Sequence, residues 1–146
     1  MEKEFVPYDR ALKLKQLGFD EPCFVLYKAS NNNQLAYAPH GITTNSQLSQ
    51  GDPNNIAAPL FQQAFRWFRE NHGIMHRLTS YAFGYQIHLD NTADFDFEFV
   101  DRRYDSGIDY KTYEEAELAC LDNLIKIVES KQRQLNIPEW DGPYAF

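Results

Sequence analysis

The sequence predicts an α+β protein in which two β-hairpins form an antiparallel sheet packed against amphipathic helices, in the order α-ββ-α-ββ-α. Three observations carry that prediction. Apolar residues recur at helical spacing in three segments, they alternate with polar residues over 81–99, and Gly, Pro and Asn mark the boundaries.

The first helix is expected over Pro7–Leu17, with Asp9 in its first turn, Lys13 and Lys15 near its end and Gly18 as a left-handed stop. Ala11, Leu14 and Leu17 form its inward stripe. Asp20-Glu21-Pro22 breaks the chain, and Cys23–Tyr27 is rich enough in aromatic and β-branched residues to be a strand. Asn31-Asn32-Asn33 is a turn signal and Gln34–Ala38 the returning strand, which completes a first hairpin. Residues 39–58 read as a long polar loop, a kind of segment that is functional or mobile when it occurs inside a compact domain.

Pro59 stands where a second helix opens, since a missing N–H costs nothing there. Leu60, Phe61, Ala64, Phe65, Trp67 and Phe68 form its aromatic stripe, expected in the core, and Gln62, Gln63, Arg66, Arg69 and Glu70 the polar side. Gly73 ends it. Tyr81, Phe83, Tyr85, Ile87 and Leu89 then alternate on one face, as do Phe95, Phe97 and Phe99, so a second hairpin turning near Asp90-Asn91-Thr92 sets Ile87 against Phe97 and His88 against Asp96. The final helix opens at Thr112, answered by Glu115 in a capping box, and carries Ala116, Cys120, Leu121, Leu124, Ile125 and Val128 inward. The tail, residues 134–146, holds Trp140, Tyr144 and Phe146 and is expected to pack on the body or on a second subunit.

A chain of 146 residues is one domain of ordinary size, with 43% hydrophobic and 24% charged residues. It shows no signal peptide and no apolar run near the roughly 20 residues a membrane span needs, so a cytoplasmic location is expected. Cys23 and Cys120 are expected as buried free thiols. The net charge of −7 is concentrated in Asp90–Glu117, where ten acids face three bases and the rest of the chain balances. Such a segment repels duplex nucleic acid and attracts a basic partner.

Three groups of residues bear on chemistry. His88 with Asp94, Asp96 and Glu98 could hold a divalent ion or support acid–base work, although a solvated hairpin face shows the same alternation. Arg66, Arg69, Arg77, Arg102 and Arg103 could clamp a phosphate-bearing small molecule with Trp67 or a tyrosine stacking on its base, against the plainer reading of solvated arginines. His72 and His76 are four apart, but Gly73 divides them and no HExxH glutamate is present. No GxSxG, P-loop or GxGxxG string occurs.

Three strings, Tyr8–Cys23 (YDRALKLKQLGFDEPC), Ala58–Arg69 (APLFQQAFRWFR) and Tyr113–Leu121 (YEEAELACL), resemble a group of small proteins encoded by tailed bacteriophages and prophages. The resemblance spans the three helices in order and implies no catalytic residue. Residues 39–58 and the tail are where this chain departs from that group. Composition, motifs and resemblance together predict a non-enzymatic phage-type accessory protein without a cofactor, acting on a protein partner or on itself, in the host cytoplasm if phage-encoded. A small nucleotide-signal binder countering host defence and a metal-dependent enzyme built on His88 and Asp96 are the alternatives.

Overall fold

The computed structural model describes residues 2–91, 103–105 and 110–135. Helices and antiparallel sheets make it an α+β protein, and the strands form two three-stranded sheets rather than one. Helix α1 (Tyr8–Gln16) ends as Gly18 predicts: φ is +100° there, and the Phe19 N–H reaches back to the Leu14 carbonyl at 2.9 Å. That closure lets Phe19 fold onto Leu14, and both are buried.

Strands β1 (Val25–Lys28) and β2 (Gln34–Tyr37) make the first hairpin, with Leu26 opposite Ala36. Its turn carries Asn32 and Asn33 at positive φ, which asparagine tolerates better than other residues with side chains. Residues 39–58 are more built than their composition suggests. They contain helix α2 (Asn45–Gln50) and strand β3 (Ile56–Ala57), and β3 joins β1 on the edge away from β2.

Helix α2 survives at six residues because its start is capped twice. Thr44 and Gln47 bond each other's backbone N–H at 3.2 Å, and the Asp20 carboxylate accepts from the Ser46 N–H (2.7 Å) and hydroxyl (2.5 Å). The Ser46 donors hold the Asp20 carboxyl below its ordinary pKa. Asn45 is the buried clamp, donating to the Phe19 carbonyl at 2.9 Å and accepting from the Ala57 N–H at 3.0 Å. Asn45→Ala would strand both groups at about 1–3 kcal/mol each, readable as a lower urea midpoint.

Helix α3 (Phe61–His72) begins two residues after Pro59, with the Gln63 carboxamide accepting from the Leu60 N–H at 3.0 Å, and stops at Gly73 with φ +67°. Phe61, Ala64, Phe65, Trp67 and Phe68 are all buried, as the stripe predicts. Strand β4 (Ile74–Tyr81) follows directly and pairs with β5 (Gly84–Asn91), which also pairs with β6 (Arg103–Asp105). Here the structure departs from the expected second hairpin. Tyr81 and Phe83 belong to the end of β4 and to the turn, Phe83 is 88% exposed, and only Ile87 and Leu89 of the aromatic alternation are fully buried.

Helix α4 (Tyr113–Leu135) starts where expected, with the Glu115 N–H donating to the Thr112 hydroxyl at 3.1 Å, and runs on past Lys131-Gln132-Arg133. A bidentate Arg10–Asp122 pair (3.0 and 3.1 Å) ties it to α1. Its apolar side, Ala116, Cys120, Leu121, Leu124, Ile125 and Val128, is buried. Helices α1, α3 and α4 and both sheets contribute to one core cluster. Cys23 and Cys120 are buried free thiols, each pushed up to about 12 by burial. Among the described residues no helix is long and apolar enough to cross a membrane.

Candidate functional site

The start of α4 places a carboxyl against an open cleft. Glu117 follows Glu114 by three residues and Tyr113 by four, so both neighbour it along the helix. Glu117 is only 8% exposed, whereas Glu114 is exposed. The Tyr113 phenol lies one turn before Glu117 and interacts with its carboxyl. Burial raises the Glu117 carboxyl above its ordinary pKa and the Glu114 charge adds to that, while the interaction with Tyr113 opposes. Burial also raises the Tyr113 phenol, with the Glu117 charge second.

Glu117 lines two adjoining cavities of about 770 and 540 Å³ that share Lys3, Phe61 and Glu114. The wider one reaches Phe5, Tyr27, Leu35 and Leu118, which give it apolar and aromatic walls. Its shape is set by all three layers: α3 brings Phe61, the β1–β2 hairpin Tyr27 and Leu35, and α4 the carboxyls. Tyr27 is pinned there by its hydroxyl, which donates to the Val6 carbonyl at 2.5 Å. Cavities of several hundred Å³ with apolar walls and few polar groups are the usual form of a binding site. A raised carboxyl inside one marks a candidate functional residue. Sequence reasoning missed Glu117 as a site residue, although it lies at helical spacing with Cys120, Leu121 and Leu124, inside the stripe that those apolar side chains define.

Helix α3 also carries a second cluster, one turn further along. Arg66 and Arg69 are exposed and border a small depression of about 270 Å³ with Gln62, Gln63, Phe65 and His76. The His76 ring stacks on Phe65 at 3.9 Å. Burial lowers its pKa and the Arg69 charge adds to the effect. The structure thus brings together two of the expected phosphate-clamping arginines and adds a histidine delivered by the turn at Gly73. It removes Trp67 from that group: Trp67 lies about 100° round the helix from Arg66, is 6% exposed, and packs edge-on against Phe19, Phe68 and His72. A ligand on the arginines cannot stack on it. Arg102 lies outside the described residues, and Arg103 is placed only as the register partner of Asp90.

The expected pairing of His88 with Asp96 gives way to other register partners. His88 has Arg77 opposite it on β4 and Asp105 on β6, so both flanks of the strand are occupied at that point and Asp96 is not its register partner. Asp94, Asp96 and Glu98 lie outside the described residues, as do Trp140, Tyr144 and Phe146 of the tail. His72 ends α3 against Trp67 and Phe68, separate from the His76–Phe65 stack. No cluster of metal-ligating side chains occurs among the described residues. Comparison of the chain with protein-family models, with curated proteins and with solved structures finds no match.

Proposed function

We propose that this chain is a non-enzymatic accessory protein that grips a protein partner, and that a basic side chain of that partner enters the cleft beside Glu117. The phage-type role suggested by the three helical strings is the context this reading adopts. The observation that carries it is the Glu117 carboxyl, 8% exposed, on the wall of a cavity of about 770 Å³ whose lining mixes Phe5, Leu35, Phe61 and Leu118 with Lys3, Gln34 and Glu114. A carboxylate offers about four acceptor positions. An arginine or lysine head can supply donors and charge together, and its methylene stem suits the Phe61 and Leu118 walls. Entry of a cation also offsets the burial that makes ionised Glu117 unfavourable, so the site favours charged guests over neutral ones of the same shape.

The test is a titration with tetrapeptides that differ only in a central arginine, lysine or citrulline, followed by amide and Tyr113 ring resonances. Saturable shifts with the arginine or lysine peptide, absent with citrulline and lost in Glu117→Gln, support the reading. Equal binding of the citrulline peptide, or no saturable shift with any peptide, overturns it.

A further inference from the structure

The Arg66–Arg69–His76 depression has the opposite chemistry. Among the described residues the ion pairs within 4 Å all involve Arg10, so neither Arg66 nor Arg69 pairs with a described carboxylate. Among the described residues no acid lines the depression. That is unusual in a chain of net charge −7, where local acids ordinarily cover helix-face arginines. The two guanidiniums sit three residues apart on rigid helix, so they project from the same side of α3. The Gln63 carboxamide is already committed, accepting from the Leu60 N–H and donating to the Pro22 carbonyl at 2.9 Å, whereas Gln62 is exposed at the rim. His76 forms the inner wall, held flat on Phe65 by the stack.

We propose that this depression is an anion site for a phosphate group, either free phosphate or the phosphate of a monoester, clamped by Arg66 and Arg69 with the His76 ring as its inner wall. Arginine suits that ligand because its planar fork places two N–H donors on two phosphate oxygens. The volume of about 270 Å³ admits a phosphate group. Phe65 is buried beneath His76 and offers no open face to a ligand. Among the described residues the depression shares no lining residue with the wider Glu117 cavity, and Gln62 alone with the narrower one.

The experiment titrates the full chain with inorganic phosphate and, separately, with adenosine 5′-monophosphate, at constant ionic strength set with chloride. Arg66 and Arg69 Nε–H and His76 ring resonances are followed. Saturable shifts confined to these groups are expected, and Arg66→Gln combined with Arg69→Gln weakens binding by about tenfold or more. Both arginines are exposed, so the double variant keeps its fold, which its unchanged circular dichroism would show. Equal affinity for the two ligands identifies free phosphate as sufficient and tighter binding of the nucleotide identifies a monoester; either sustains the site. Shifts that rise linearly without saturation, or that survive in the double variant, overturn it. Glu117→Gln leaves phosphate binding unchanged, so this outcome and that of the peptide titration are read separately.

Discussion

Helix α3 borders two recesses built on opposite electrostatic plans. Phe61 walls a roomy cleft in which a carboxyl is buried; one turn further along, Phe65 backs a shallow depression in which two arginines stay in water. Burial acts on both titratable groups and in opposite directions, raising Glu117 and lowering His76, because in each case it disfavours the charged form. The difference lies in where the charge is kept. The cleft holds its charge inside, where ionisation is costly and an incoming cation relieves it. The shelf keeps its charge outside, where it costs little and is ready for an anion.

The largest expected effects come from removing the two phenylalanines. Phe61→Ala and Phe65→Ala each delete a buried ring, and each is expected to lower stability by about 3–5 kcal/mol in urea unfolding. Phe65→Ala also takes the stacking partner from His76, so it should raise the His76 pKa towards the ordinary imidazole value while leaving Tyr113 unmoved. A rise of equal size in Phe61→Ala would show that the two recesses are not separate.

Glu117→Gln is the next test. The folded carboxyl binds its proton more tightly than the unfolded one, so ionised Glu117 costs stability above its raised pKa. That cost vanishes as pH falls below the ordinary carboxyl range. The variant should therefore be up to about 1 kcal/mol more stable than the parent at pH 7, and no more stable near pH 3. A variant less stable at pH 7 would mean that the carboxylate supports the fold rather than burdening it.

His76 gives the opposite slope. Its folded pKa is lowered, so the stability it contributes is complete above the ordinary value of about 6.5 and is lost as pH falls from there towards the lowered one. His72, also lowered by burial with Lys131 second, acts in the same window. Unfolding measured between pH 7.5 and 5 should show this decline, and replacing both histidines by glutamine should flatten it. The smallest effect belongs to Arg66→Gln, an exposed helix position expected to shift stability by under about 0.5 kcal/mol. A larger loss would reveal an interaction at Arg66 beyond those seen among the described residues.

Much of the architecture could be read from residues a few positions apart. Gly18 and Gly73 end their helices, Thr112 and Glu115 open α4, and the stripe from Phe61 to Phe68 faces inward, because caps and stripes depend on local geometry alone. Two elements escaped. Helix α2 has the capping pair Thr44 and Gln47 but only Leu48 as an apolar anchor, and its real support is Asn45 reaching Phe19 and Ala57, contacts invisible to periodicity. Strand β4 was obscured because Tyr81, Phe83 and Tyr85 alternate as one strand would, although a turn at 82–83 cuts through them. The sites were legible in part. Arg66 and Arg69 follow from spacing on α3, but His76 joins them only because β4 doubles back after Gly73, and Trp67 leaves them because neighbours in sequence lie on different sides of a helix.

Taken alone, the amino-acid order decided the α+β class, the three long helices, the buried thiols and the concentration of acid in Asp90–Glu117. Those properties rest on composition and on contacts within one or two turns. Tertiary structure alone decided that Glu117 faces a walled cavity, that His88 stands between Arg77 and Asp105, and that cation and anion recesses border one helix. Each depends on which distant segments pack together, and burial by a remote neighbour leaves no mark on the local pattern of the chain.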